Sequence, residues 1–361
     1  MFKRFLKAAV ATCCLFLGAG FLSPAYIWAG ADDILRQAID DNQIRVASPE
    51  VIQNWQRKRI ELYDRAGIKL DPSKFTYMRS RSAFEIVSPD FIIPTGLPWV
   101  DFYLPESFNI PEGNIGSSKI FLLEDGTCIG HGDGCVALMT DSLREAINKE
   151  HIRIARPETM KQWTEKAVKL YTQADIEVDE VHFRKPHYYS KAFEIISSDF
   201  VIPDGLAGGN SASFYLPENF KIPAGPFGHS NMYLLKDGSC LGHGWYCTEF
   251  QDNEFLRSAL NNNDIRVAKP ITIKTWYEKH ADLNNLKSAK DYLNGLVSSG
   301  NNYEVLSYKF VMSGELAGIH SIYLFVPENL NIPSGDFRHS DVFLLKDGSC
   351  IGNYMKTCSR H

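Results

Sequence analysis

Beyond its first thirty residues, this 361-residue chain has no stretch long and apolar enough to cross a bilayer. It also has no long basic run, which excludes the clustered positive charge that nucleic acid or an anionic membrane surface requires. No H-E-x-x-H, G-x-S-x-G, Walker-loop or EF-hand pattern occurs, so four common catalytic and ligand-binding constellations are excluded. Nor is there a C-x-x-C spacing among the eight cysteines, and no cofactor or metal is expected. Finally, no Gly/Ser or proline linker divides the chain, so its parts are expected to pack tightly.

The first thirty residues do contain a targeting pattern. Lys3, Arg4 and Lys7 precede an apolar run from Ala8 to Leu22, and Ala29, Gly30 and Ala31 form an A-x-A cleavage site. An uncleaved anchor is the competing reading, since 8–30 is just long enough to span a membrane; Pro24 and the small residues favour cleavage. Loss of 1–31 removes three positive charges and no acid, so the net charge falls from −5 to −8. A secreted or periplasmic location is therefore the expectation, with no membrane span after cleavage.

Export gives meaning to the six cysteines that remain, Cys128, Cys135, Cys240, Cys247, Cys350 and Cys358. They lie inside a cassette that occurs three times. Phe102–Gly113 and Phe214–Gly225 share F-Y-L-P-E-x-F-x-I-P-x-G, with Leu324–Gly335 a looser copy; Leu122–Gly130, Leu234–Gly242 and Leu344–Gly352 then repeat L-L-x-D-G-[ST]-C-[IL]-G. The period is about 110 residues, the size of a small domain rather than of a solenoid repeat. Each copy owns two cysteines, so pairing within the copy is expected, each bridge contributing about 2.5 kcal/mol. Zinc is the poorer reading in an oxidising compartment.

Each copy reads the same way along its length. A short amphipathic helix starts near Asp33, Asp141 or Asn253, and a short strand comes next at Ile44, Ile152 or Ile265. Pro49, Pro157 and Pro270 suit the first turn of a second helix, which carries Trp55, Trp163 or Trp276 as a core residue. After a polar, divergent stretch (66–82, 173–190, 283–302), strand signals dominate through F-E-I-V, F-I-I, F-Y-L-P-E and F-L-L. Asp125-Gly126 and its equivalents Asp237-Gly238 and Asp347-Gly348 mark a tight turn. The expected fold is α+β, each unit two helices plus a mainly antiparallel sheet with one local disulfide. The divisions are a signal peptide at 1–31 and units at 32–139, 140–250 and 251–361, and tandem units of this kind can exchange elements.

Candidates for chemistry lie beside the cysteines. His131 and His243 stand between glycines inside the Cys-bounded loops, and His229 and His339 precede the first cysteine of units two and three. Only unit two has both, so a catalytic copy would use His229 and His243 with Asp237 or Tyr246. A structural turn with a satisfied histidine is the plainer reading. Four charged positions recur in every unit: Arg36/Arg144/Arg257, Arg45/Arg153/Arg266, Glu85/Glu194/Glu304 and Glu106/Glu218/Glu328. Pairing within each unit, Arg45 with Glu85 for instance, is favoured over a ring of three arginines that binds an anion. Gly208–Ser211 reads as a hairpin connection. Because the repeated residues are chiefly framework, the expected function is a non-enzymatic binding or interaction module. Its partner would be a protein, glycan or small molecule. The alternative is a secreted hydrolase-like enzyme with its site in unit two.

Overall fold

The computed structural model describes residues 31–71, 82–95, 97, 100–113, 119–130, 135–136, 140–178, 191–203, 212–226, 231–242, 246–250, 253–286, 300–313, 322–336, 341–352 and 358–359. The targeting segment and the divergent stretches lie largely outside them. Three opening helices are present: α1 (Ala31–Asp40), α3 (Asp141–Asn148) and α5 (Glu254–Asn261). Asn253 caps α5 as its sequence suggests, its Oδ1 accepting from Leu256 N at 3.0 Å. For α3 the cap is Thr140, one residue ahead of Asp141, and α1 begins two residues before Asp33. Each helix stops at a residue in the left-handed region, Asn42, Glu150 or Asn263. The tryptophan helices α2 (Pro49–Arg65), α4 (Pro157–Thr172) and α6 (Pro270–Asn284) start at the three expected prolines.

Each copy builds one five-stranded sheet. The first contains β1 (Ile44–Val46), β2 (Ser82–Ile86), β3 (Val100–Tyr103), β4 (Lys119–Leu122) and β5 (Cys128–Gly130), in that order. The second contains β6 (Ile152–Ile154), β7 (Lys191–Ile195), β8 (Ala212–Tyr215), β9 (Met232–Leu234) and β10 (Cys240–Gly242). The third contains β11 (Ile265–Val267), β12 (Asn301–Val305), β14 (Ile322–Val326), β16 (Val342–Leu345) and β17 (Cys350–Gly352). The fold is α+β, and the sheets are mixed rather than mainly antiparallel. The first strand pairs antiparallel with the second in every copy and the last pair is antiparallel in copies two and three, whereas the three central strands run parallel in every copy. Alternation in sequence reports which face a side chain takes, not strand direction. The segments 87–99 and 104–118 are long enough for the crossovers that parallel neighbours need.

Those crossovers absorb the F-I-I run that reads as a strand. Ile93 makes only an isolated bridge to Gly113, and the third copy elaborates the same contact into β13 (Val311–Met312) against β15 (Ser334–Gly335). This bridge explains the last glycine of I-P-x-G. Gly225 sits at φ +106°, and a Cβ there would stand 2.3 Å from Ile202 O.

Side chains alternate across the parallel strands and build two cores. On one face Phe84, Phe102 and Phe121 lie in register, with Phe102 stacked 5.6 Å from Phe121; Phe193, Phe214 and Tyr233 repeat the ladder. On the other face the tyrosine of F-Y-L-P-E meets the tryptophan helix edge-on. Trp55–Tyr103, Trp163–Tyr215 and Trp276–Phe325 have centroids 6.4, 6.3 and 6.2 Å apart. The tryptophans are therefore core residues. The D-G turn presses on the same helix: a Cβ at Gly238 would be 2.5 Å from Ala167 N.

By compactness the chain forms two units, Met1–Gln56 with Asp71–Glu124, and Arg57–Leu70 with Asp125–His361. The first holds α1 and β1–β4. Within the second, copies two and three share continuous cores. One contains Phe214, Tyr233 and Phe250 of copy two with Leu256, Val267 and Tyr303 of copy three; the other contains Trp163 and Trp276. Helix α5 clasps copy two directly. Asn261 Oδ1 accepts from Ile222 N at 2.7 Å, its Nδ2 donates to Ile222 O at 3.2 Å, and Arg257 Nη2 donates to Gly225 O at 3.0 Å. The opening helix of copy three thus closes copy two.

Candidate functional site

The cross-strand charges form clasps. Arg45 and Glu85 stand opposite each other on β1 and β2, with Nε to Oε2 at 2.7 Å and Nη2 to Oε1 at 2.9 Å. Arg153 with Glu194 and Arg266 with Glu304 repeat the pair. In copies two and three the second carboxylate oxygen has a further partner. Glu194 Oε1 accepts from Arg156 N at 2.7 Å, and Glu304 Oε1 from Lys269 N at 2.9 Å, so each acid also caps the start of a tryptophan helix. Copy one uses Ser48 for that cap. Glu218 and Glu328 pair with Lys236 and Lys346.

The candidate acid Asp237 is a turn residue. Its Oδ1 accepts from Ser239 N at 3.0 Å and from Ser239 Oγ at 2.6 Å, and Asp125 and Asp347 do the same toward Thr127 and Ser349. Tyr246 is different. It is half-buried in the Cys-bounded loop, and its backbone is left-handed at φ +66°, a costly conformation for an aromatic residue. Tyr171 holds it there, with the rings 5.0 Å apart and the Tyr171 hydroxyl donating to Tyr246 O at 2.9 Å. Burial pushes the Tyr171 phenol well above its ordinary range.

The three arginines 36, 144 and 257 occupy unlike settings. Each pairs with an acid three residues earlier, Asp33, Asp141 or Glu254, but Arg36 is exposed whereas Arg144 and Arg257 are buried. His131, His229, His243 and His339 lie outside the described residues. The cysteines do not: Cys128–Cys135, Cys240–Cys247 and Cys350–Cys358 are disulfides with Cα–Cα distances of 4.7 Å. As disulfides they ligate no zinc. Among the described residues no group of three His, Cys, Asp or Glu is placed to hold a metal, and no helix is long and apolar enough to cross a membrane.

Some polar groups that matter carry no motif. Arg59 and His280 occupy the same place on their tryptophan helices and reach the D-G turn, Arg59 Nη1 donating to Gly126 O at 3.1 Å and His280 Nδ1 bonding Gly348 O at 2.8 Å. Burial lowers the Arg59 pKa. Lys191, at the start of β7, is buried where the other copies carry Ser82 and Asn301, and burial lowers its pKa to about 8. Their only signal is substitution at a position that the other copies fill differently. The site and fold define an α+β array of three sheet units, each stapled by its own disulfide. Compared with known protein families, curated proteins and solved structures, the chain shows no significant match.

Proposed function

We propose that this chain is an exported, non-enzymatic binding protein, in which the repeated framework displays loops that differ from copy to copy. The observation that carries the reading is where the shared polar residues go. Arg45, Arg153 and Arg266 are clasped by Glu85, Glu194 and Glu304, and Asp125, Asp237 and Asp347 lock turns. Residues engaged in the same structural bond in three copies are poor candidates for chemistry in one. Three disulfides support an oxidising compartment, secreted or periplasmic. Binding is assigned to the loop from Cys240 to Cys247, where the half-buried Tyr246 keeps a strained backbone.

A thermal-shift screen tests this with chito-oligosaccharides, peptidoglycan fragments, divalent metals and dicarboxylates, each recovered afterwards for mass analysis. The reading expects one probe to raise the melting temperature and be recovered unchanged, with the shift lost in Tyr246→Gly. Turnover of a probe by the wild-type chain, abolished in His243→Ala, would replace it with the hydrolase reading.

A further inference from the structure

The junction between copies two and three is built from two complementary surfaces, and among the described residues copy one leaves one of them uncovered and copy three the other. At the internal junction the donor surface is α5 with β11: Arg257 and Asn261 bond the backbone of copy two, and Val267 is buried. The acceptor surface is the I-P-A-G segment with the strand after the disulfide. Ile222 lies under Asn261, Thr248 Oγ1 donates to Asn302 O at 3.5 Å, and Glu249 O accepts from the Tyr303 hydroxyl at 3.0 Å.

Among the described residues, copy one presents the donor surface with no acceptor segment over it. Helix α1 seats Leu35 and Ala38 as α5 seats Leu256 and Ala259, all four buried. Its outward residues are uncovered. The side chain of Arg36 is 70% exposed, against 10% for Arg144 and 6% for Arg257. Val46 is 68% exposed, while Ile154 and Val267 at the same register position are 6% and 7% exposed.

Copy three presents the acceptor surface in the same condition. Ile332 is 38% exposed, whereas Ile110 and Ile222 at its position are 3% and 7% exposed. Ser359 is exposed where Thr248 is buried. Among the described residues, nothing stands over Ile332 and Gly335 as Asn261 and Arg257 stand over Ile222 and Gly225.

A repeat face meant to stay in water would carry polar caps in place of the junction residues. Here an isoleucine, a valine and the junction arginine are exposed instead. We infer that copies of this chain associate head to tail, α1 and β1 of one molecule docking on the Ile332–Gly335 and Ser359 face of the next. The contact would repeat the internal one without two of its hydrogen bonds: Asp40, at the position of Asn261, can accept from Ile332 N but cannot donate to Ile332 O, and Phe84, at the position of Tyr303, has no hydroxyl to donate. The intermolecular contact is accordingly weaker than the covalently linked one. Because the two faces differ, the association is heterologous and propagates.

Sedimentation velocity on the disulfide-bonded full chain tests this across a concentration series reaching millimolar. The wild-type chain should form species larger than a dimer as concentration rises. Val46→Glu and Ile332→Glu, both at exposed positions, should each be monomeric with unchanged circular dichroism. Mixed, they should form one-to-one dimers that grow no further, since each retains the face the other lacks. Arg36→Glu with Ser359→Arg provides a second pair should either glutamate disturb folding. A wild-type chain that stays monomeric throughout would overturn the inference. So would association unchanged by both glutamates, or variants that fail to complement each other.

Discussion

Replacing Cys240 and Cys247 together by alanine should destabilise the protein more than the same change at Cys350 and Cys358. The closed loops differ by one residue, so loop entropy sets nearly the same loss for both, about 2.5 kcal/mol. The segments beyond the two bridges separate them. After Cys247 the chain returns beside β10, Gly242 N donating to Thr248 O at 2.8 Å, and continues through Glu249, which accepts from Tyr303, to the buried Phe250. That segment joins copy two to copy three. After Cys358 the same return reaches Ser359, which is exposed. Freeing the first segment risks one hydrogen bond and part of an aromatic burial, about 1 to 2 kcal/mol in addition. At about 2 to 4 °C per kcal/mol, the melting temperature should fall by about 5 to 10 °C for the third bridge and several degrees further for the second. Calorimetry on the two variants decides it. Equal shifts, or a larger shift for Cys350 and Cys358, would refute the assignment of Thr248–Phe250 to the junction.

Glu304→Gln should lower stability by about 2 to 3 kcal/mol in urea unfolding, because it uncouples Arg266 and weakens the cap at Lys269. Glu85→Gln should lose less, since Ser48 caps that helix separately. Lys191 sets a pH dependence. Its folded pKa of about 8 lies below the unfolded value, so below pH 8 both states are protonated and burial of the charge opposes folding in full. Between pH 8 and about 10.5 the unfolded state binds more protons, and the contribution of this group to stability rises with pH by up to about 3 kcal/mol. Lys191→Met should remove that rise relative to the wild type, measured by denaturant unfolding at pH 7.5 and pH 10.

Much of the fold was legible because the chain states it three times. The disulfide pairing came from two cysteines per copy, and the Arg45–Glu85 clasp from alternating strands that bring opposite charges into register. The tryptophans were legible as core from helical spacing. Strand direction was not, since Phe91–Ile93 has a strand composition but serves as a crossover, and only tertiary packing decides between the two. Arg59, His280, Lys191 and Asn261 stayed silent because each acts through a backbone partner about 40 or more residues away in sequence, or through burial alone. The possibility that tandem copies exchange elements was visible, but which element closes which copy required the contact between Asn261 and Ile222.

That contact is also where the three-copy array is tested most directly. Amide hydrogen exchange at Ile222 in the full chain should be slow when Asn261 is present and accelerate by about tenfold to a hundredfold in Asn261→Ala, in line with loss of about 1.4 to 2.7 kcal/mol of local protection. Ile202 N, which bonds Ala224 O within copy two, should change much less. Protection at Ile222 that is unaltered by Asn261→Ala would contradict the claim that copy two is closed by the opening helix of copy three.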